Sequence, residues 1–132
     1  MPAEIDYPAW IMLVTGIYAA AAGIGEWRRP GSWEAMVVDI TGNGAVRFLT
    51  GIFCLCIGTV LYLSAAWDTS DWMQIAIKII GGWVVIEGAL ILAFGDLFMG
   101  FARGMMSMVN RFWAGISVAI GLAAIVMAIM RI

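Results

Sequence analysis

The sequence predicts an all-α integral membrane protein with four transmembrane helices. Of its 132 residues, 64% are hydrophobic and only 12% are charged. A soluble domain usually contains about 45–50% apolar and about 25% charged residues, so a water-soluble globule of this size could not bury its apolar excess. The apolar residues are also gathered in four runs, each close to the roughly 20 residues that a helix needs to cross a hydrocarbon core. The expected spans are residues 7–25, 48–67, 72–94 and 112–130.

These runs favour helices over strands because they are long and unbroken, without the alternation of polar and apolar residues that marks a membrane β-barrel. They also occupy most of the chain. We therefore expect a single membrane domain over residues 1–132, with no separate soluble domain.

The two longer links each contain a short amphipathic segment. In the first, Ser32 is the predicted N-cap, and in the second it is Asp96. Apolar residues follow at helical spacing, namely Trp33, Met36, Val37 and Ile40 in the first link and Leu97, Phe98, Phe101, Met105 and Met108 in the second. We expect both segments to be short helices that lie on the membrane surface.

The distribution of basic residues predicts the orientation. The two longer links carry Arg28, Arg29, Arg47, Arg103 and Arg111. The N-terminus and the turn at residues 64–71 carry no Lys or Arg. The last residues carry only Arg131. By the positive-inside rule, the longer links are cytoplasmic and both termini face outward.

The two halves of the sequence resemble each other. Residues 47–52 (RFLTGI) recur as residues 111–116 (RFWAGI), a shift of 64 positions. At a shift of 65, Gly16, Tyr18, Gly23 and Trp33 align with Gly81, Trp83, Gly88 and Phe98. We expect two parallel repeats over residues 7–67 and 72–132, each a helix pair with an interfacial helix in its cytoplasmic link. Such repeats share one orientation, unlike the inverted repeats of many transporters.

Further features of each unit match a known family. The second unit has Glu87-Gly88 in its first span, an amphipathic link and Arg111 near the start of its second span. The first unit has the sequence Pro-Gly-Ser-Trp at residues 30–33. In these features the chain resembles a tandem duplication of the YjeT-like proteins, small two-span bacterial inner-membrane proteins with a Pro-x-x-Trp element after the first span.

The resemblance is divided between the two units. Ala22 stands where the first unit would need its Glu, and residues 95–96 (Gly-Asp) stand where the second would need its Pro. The resemblance implies a two-span unit used twice. The family has no established biochemical role to transfer.

Several chemistries are excluded by composition. The chain contains no His, which removes His-ligated haem, His-ligated chlorophyll, ordinary His metal sites and His-dependent nucleophiles. Its formal charge of −2 argues against a nucleic-acid partner. We therefore expect neither an enzyme nor a bound cofactor or metal, while contacts with lipid, quinone or carotenoid remain open.

Two charges fall inside the predicted spans. Glu87 lies about 10 Å inside the cytoplasmic boundary, at 1.5 Å per residue, where an ionisable group is a functional candidate by default. It serves either as a proton or cation relay or as a structural group, which is protonated or paired with Arg47 or Arg111. Lys78 is expected to extend toward the outer headgroups or toward Asp71.

Small residues at helical spacing predict close contacts between helices. They are Gly16, Ala20, Gly23, Gly51, Gly58, Gly81, Gly88, Gly115 and Ala119. A bundle of four helices cannot bury every such face, so some are available to partners. The expected function is therefore an accessory or assembly subunit that docks with other integral membrane subunits. The alternative is a minimal homo-oligomeric transporter or channel that uses Glu87.

Overall fold

A computed structural model describes residues 4–132, which form six α-helices and no strand. The first three residues of the predicted domain lie outside the described residues. The helices are α1 (Tyr7–Arg28), α2 (Ser32–Thr41), α3 (Gly44–Ser64), α4 (Trp72–Ala93), α5 (Gly95–Ser107) and α6 (Arg111–Arg131). Helices α1, α3, α4 and α6 are long and apolar enough to cross a membrane. This supports a multi-pass membrane protein and confirms the four predicted helices.

Short polar side chains begin each long helix. Asp6, Asn43, Asp71 and Asn110 are the N-caps of α1, α3, α4 and α6, and each accepts a hydrogen bond from backbone N–H groups of the first turn. These bonds satisfy donors that a helix start otherwise leaves free. Apolar runs do not mark such polar starts, so α3 begins four residues before the predicted span at 48.

The caps of the two short helices differ from the prediction. Helix α2 is preceded by Gly31 with a φ of 92°, and Ser32 lies inside the helix instead of capping it. Helix α5 starts at Gly95 without a side-chain cap, and Asp96 lies in its first turn. Glycine adopts a positive φ without the steric cost of a Cβ atom, which allows the sharp turn between α1 and α2.

The four long helices form two closely packed pairs, α1 with α6 and α3 with α4. Each pair therefore combines helices from different predicted repeat units. Helices α1 and α4 connect the pairs through a smaller contact, which leaves α3 and α6 at the outer positions. Helices α2 and α5 pack on each other at the end of the molecule that holds the two longer links, the linker end.

Glycines bring the backbones of each pair into contact. A Cβ added to Gly16 on α1 would lie 2.8 Å from the carbonyl oxygen of Gly121 on α6. A Cβ added to Gly81 on α4 would lie 2.9 Å from the carbonyl oxygen of Gly58 on α3. Helices in lipid associate through such close backbone approach because no hydrophobic effect drives them together.

A second level of contacts repeats this arrangement. Gly23 on α1 faces the carbonyl oxygen of Ala114, and Gly88 on α4 faces that of Gly51, each at 2.8 Å from an added Cβ. Gly23 of α1 and Gly88 of α4 therefore occupy equivalent positions, 65 residues apart in the sequence. Their partners, Gly51 of α3 and Ala114 of α6, are 63 residues apart. The sequence match at a shift of 64 aligns Gly51 with Gly115. In the packed helices, the residue equivalent to Gly51 is instead Ala114, one position earlier.

The four long helices share a buried apolar cluster at the end of the molecule opposite the linker end, the terminal end. Met12, Met73 and Ile77 are its large members. Nearby, Arg131 forms ion pairs with Asp6 at 3.1 Å and with Asp71 at 2.7 Å. This arginine ties the end of α6 to the starts of α1 and α4, so one side chain connects the two helix pairs.

Candidate functional site

Glu87 lies on a partly exposed face of α4. One carboxylate oxygen accepts a 2.8 Å hydrogen bond from the indole N–H of Trp83, one turn earlier on the same helix. The Trp83 side chain is 62% exposed. The acid is therefore held by its own helix and is presented outward, toward the medium that surrounds the bundle.

The two arginines expected to pair with Glu87 are engaged elsewhere. Arg47 donates to the carbonyl oxygen of Thr41 at 3.3 Å. The Arg111 guanidinium lies 5.8 Å from the centre of the Trp27 ring, within the range of a cation–π contact. Across residues 4–132, the ion pairs are those of Arg131, and neither Arg47 nor Arg111 pairs with Glu87. This corrects the expected pairing of Glu87 with Arg47 or Arg111.

Glu87 belongs to an apolar stripe at helical spacing on α4. The stripe comprises Ile80, Trp83, Glu87, Leu90 and Phe94, and we call it the α4 stripe. Its four apolar members are between 36% and 62% exposed. The opposite face of α4 carries Gly81 and Gly88 and packs on α3. The stripe is thus an outward surface with one carboxylate among aromatic and aliphatic side chains.

Lys78 is buried and caps a neighbouring helix. Its ammonium group donates a 2.8 Å hydrogen bond to the carbonyl oxygen of Tyr62 in the last turn of α3, and it lies 3.7 Å from the centre of the Tyr62 ring. It therefore does not bind Asp71, whose carboxylate pairs with Arg131. The last carbonyls of a helix lack partners within the helix and carry partial negative charge, which explains the preference for this partner.

Glu26 is the buried acid that sequence analysis missed. It is 2% exposed, and its two oxygens accept hydrogen bonds from the backbone N–H groups of Gly31 at 2.8 Å and Trp33 at 2.9 Å. It supplies the cap that Ser32 was expected to provide. The predicted span ends at residue 25, so Glu26 lies outside it and did not count as a charge inside a span. Its spacing of seven residues before Trp33 was the available signal.

Most of the predicted small packing residues lie at the helix contacts. Those that are buried are Gly16, Ala20, Gly23, Gly51, Gly58, Gly81 and Gly88. Gly115 is half-buried beside the Trp27 ring, and Ala119 is exposed. On α6 the buried small residues are instead Ala114, Gly121 and Ala128, at intervals of seven. The available signal was this seven-residue spacing, which also separates Gly51 from Gly58 and Gly81 from Gly88.

Two open clefts lie at the linker end. One, of about 450 Å³, lies between α1 and α2 and has Arg28 and Arg29 among its lining residues. The other, of about 460 Å³, is mainly apolar and is lined by Trp33, Trp113 and methionines of the second link. Both clefts are next to the positions where α1 and α6 reach the predicted membrane surface.

Comparisons with known proteins give no function that could be transferred to these features, which are therefore interpreted from their geometry. No protein-family model, curated protein or solved structure matches the chain.

Proposed function

We propose that this chain is a non-catalytic integral membrane protein, an accessory or assembly subunit that docks onto a larger membrane complex through the α4 stripe. The observation that carries the proposal is the outward position of Glu87 beside the exposed Trp83 ring. An ionisable side chain that faces lipid is costly. A partner helix that covers the stripe and offers a hydrogen-bond donor or a cation to Glu87 removes that cost.

The composition of the stripe supports a protein partner. Trp83 and Phe94 are 62% and 56% exposed, and aromatic side chains are enriched at the centres of protein interfaces. Gly81 and Gly88 of α4 are already used against α3. The outward face therefore offers large side chains for a partner to pack against, with Glu87 as the polar group that fixes its register.

A second candidate function uses the same observation. Because Glu87 faces outward, a pore that includes it would form between copies of the chain and not within one copy. In that alternative the protein is a minimal homo-oligomeric transporter or channel, and Glu87 binds or relays the transported cation or proton.

The proposed location is a bacterial inner membrane, with cytoplasmic links and periplasmic termini. The arginine-rich links support this orientation. The exposed apolar side chains Leu97, Phe101 and Met105 of α5 support an interfacial position for the short helices, since water would leave them unfavourably solvated.

We also propose that the chain arose by tandem duplication of one span–short helix–span unit. The matched glycine contacts of the two helix pairs support it, because α1 with α6 and α4 with α3 correspond under a twofold exchange of the units. The exchange relates α2 to α5, which pack on each other as expected of elements near the axis.

The decisive experiment is native mass spectrometry of the protein, mildly extracted from its own membranes through a C-terminal tag. We expect recovery in a fixed ratio with larger foreign membrane subunits. Recovery as a homo-oligomer alone would contradict the docking proposal. In that case, liposome flux that Glu87→Gln abolishes while the fold survives would establish the transporter alternative, and no flux across a panel of cations would exclude it.

Variants of the α4 stripe test whether the foreign subunits bind at this surface. Trp83→Ala and Glu87→Ala should each reduce recovery of the foreign subunits at least several-fold, because both remove groups at the centre of the contact. The matched control is Trp113→Ala, which removes a tryptophan of similar exposure, 52%, from α6. Equal losses for Trp83→Ala and Trp113→Ala would show that the α4 stripe is not the docking surface.

A further inference from the structure

The cleft between α1 and α2 combines a charged mouth with an apolar interior. Arg28 and Arg29 line the cleft where α1 ends, a part that we call its mouth, and Trp33 and Met36 line it from α2. Within the described part of the chain, the ion pairs involve Arg131, so neither Arg28 nor Arg29 has a carboxylate partner. The mouth therefore offers two guanidinium groups, which favour the oxygens of a phosphate.

The interior of the cleft follows one face of α1 into the span. Gly25, Ala22 and Tyr18 line it below the arginines, at helical spacing. From Arg28 to Tyr18 the helix rises about 15 Å, at 1.5 Å per residue. The predicted span ends at residue 25, so the part from Gly25 to Tyr18 reaches about 10 Å into the hydrocarbon. Half of a hydrocarbon core about 30 Å thick is about 15 Å. The cleft can therefore hold about two thirds of the length of one acyl chain.

Apart from the Tyr18 hydroxyl, the polar groups inside the cleft have protein partners. Both oxygens of Glu26 accept backbone hydrogen bonds. The Trp33 indole N–H donates to the carbonyl oxygen of Ala22 at 3.2 Å, and the Ser32 hydroxyl donates to the carbonyl oxygen of Arg29. The ring of Trp33 is therefore fixed as a wall, and the free cationic groups are the two arginines. Glu26 and Glu34 are the nearby acids, and Glu26 is buried at 2% exposure.

Gly25 keeps the cleft open. A Cβ added to this residue would meet no atom within 4 Å, so the glycine is not required for helix packing at this point. Its missing side chain leaves room for a ligand between the arginines and Ala22.

From these observations we infer that the α1–α2 cleft binds one anionic phospholipid, with its phosphate at Arg28 and Arg29 and one acyl chain along Gly25, Ala22 and Tyr18. Basic pockets beside membrane helices recognise anionic headgroups by this chemistry. This site is separate from the α4 stripe, so the proposal stands or falls independently of the proposed function.

The test is native mass spectrometry of the purified full chain in detergent, titrated with phosphatidylglycerol or with phosphatidylcholine of the same acyl chains. We expect one phosphatidylglycerol to bind in clear preference to phosphatidylcholine. Arg28→Gln combined with Arg29→Gln should weaken phosphatidylglycerol binding roughly thirty-fold, since each arginine near an anionic lipid contributes about 1 kcal/mol. The matched control is Arg103→Gln, at an exposed arginine of α5.

Gly25→Leu tests the acyl-chain part of the cleft. It fills open space, so the variant should fold and lose phosphatidylglycerol at least ten-fold, whereas Gly100→Leu, at a glycine of α5 that is equally free of contacts, should retain it. Circular dichroism checks that each variant is folded. If the double arginine variant fails to fold, the binding of phosphatidylglycerol to Gly25→Leu is the test of the proposal. Equal binding of the two lipids, unchanged binding by Gly25→Leu, or full competition by millimolar inorganic phosphate would each overturn the proposal.

Discussion

Glu26, Lys78 and Glu87 are charged side chains close to the hydrocarbon zone, and their partners differ in kind. Glu26 and Lys78 are bound to backbone groups at helix ends, where N–H and C=O groups need partners. Glu87 has only the indole of Trp83, on the same helix. The first two therefore stabilise the fold, and the third is the charge left for interaction with another molecule.

Removing the Glu26 carboxylate should destabilise the protein. Glu26→Ala leaves the partly buried N–H groups of Gly31 and Trp33 without their acceptor, which costs about 1 kcal/mol or more. Thermal unfolding in a mild detergent, followed by circular dichroism, measures the loss. The control is Glu34→Ala, at the acid in the first turn of α2, which has no such backbone bonds. A loss no larger than that of the control would show that Glu26 does not hold the turn.

The helix pairs depend on small residues whose importance differs along one helix. On α6, Gly121 packs on the backbone of α1: an added Cβ would lie 2.6 Å from the carbonyl oxygen of Gly16. At Gly115 an added Cβ would lie 3.3 Å from a ring atom of Trp27, a side chain that can move aside. The same substitution is therefore expected to have different effects at the two positions.

Gly121→Ala should lower the free energy of unfolding by about 1–3 kcal/mol, because the backbones of α1 and α6 must separate. Gly115→Ala should change it by less than about 1 kcal/mol, since alanine also favours the helix. Unfolding by denaturant in mixed micelles compares the two. Similar losses of unfolding free energy at both positions would contradict the conclusion that α6 packs through Ala114, Gly121 and Ala128.

The elements were predictable to different degrees. The four spans follow from unbroken apolar runs, and hydropathy identifies them without tertiary information. Their pairing does not follow, because Gly16 is as suitable for contact with one glycine-bearing helix as with another. The one-residue difference between Gly115 and Ala114 rotates the contact face of α6 by about 100°, and only packing decides it. Glu26 was missed because its partners come from a turn whose shape depends on Gly31.

At the scale of the whole molecule, the two helix pairs are held together at the terminal end. The apolar cluster and the Arg131 ion pairs both lie there. The hydrogen bond from Arg131 to the Asp71 carboxylate, followed by the hydrogen bond from Gln74 and the charge of Arg131, lowers the pKa of Asp71 below its usual value of 3.8. The joint between the pairs is therefore sensitive to acid.

Acid should weaken this joint in a defined range of pH. Since the pKa of Asp71 is lowered on folding, its contribution to stability is fully present above pH about 4 and is lost as pH falls through the lowered folded-state value. The partly exposed pair limits the loss to about 1 kcal/mol or less. Melting temperatures between pH 7 and pH 2.5 should fall less for Asp71→Asn than for the unmodified chain. Parallel curves for the two would rule out this linkage.

The pairing of the first long helix with the last has a consequence for biosynthesis. Helices α3 and α4 are neighbours along the chain and can associate soon after both leave the ribosome. Helix α1 must wait until α6 has been made, several seconds at about 5–20 residues per second. During that interval Gly16 and Gly23 have no partner in the nascent chain. The first helix to be synthesised is thus the last to be paired, and a chain that terminates before α6 exposes its contact face to the quality-control proteases of the cell.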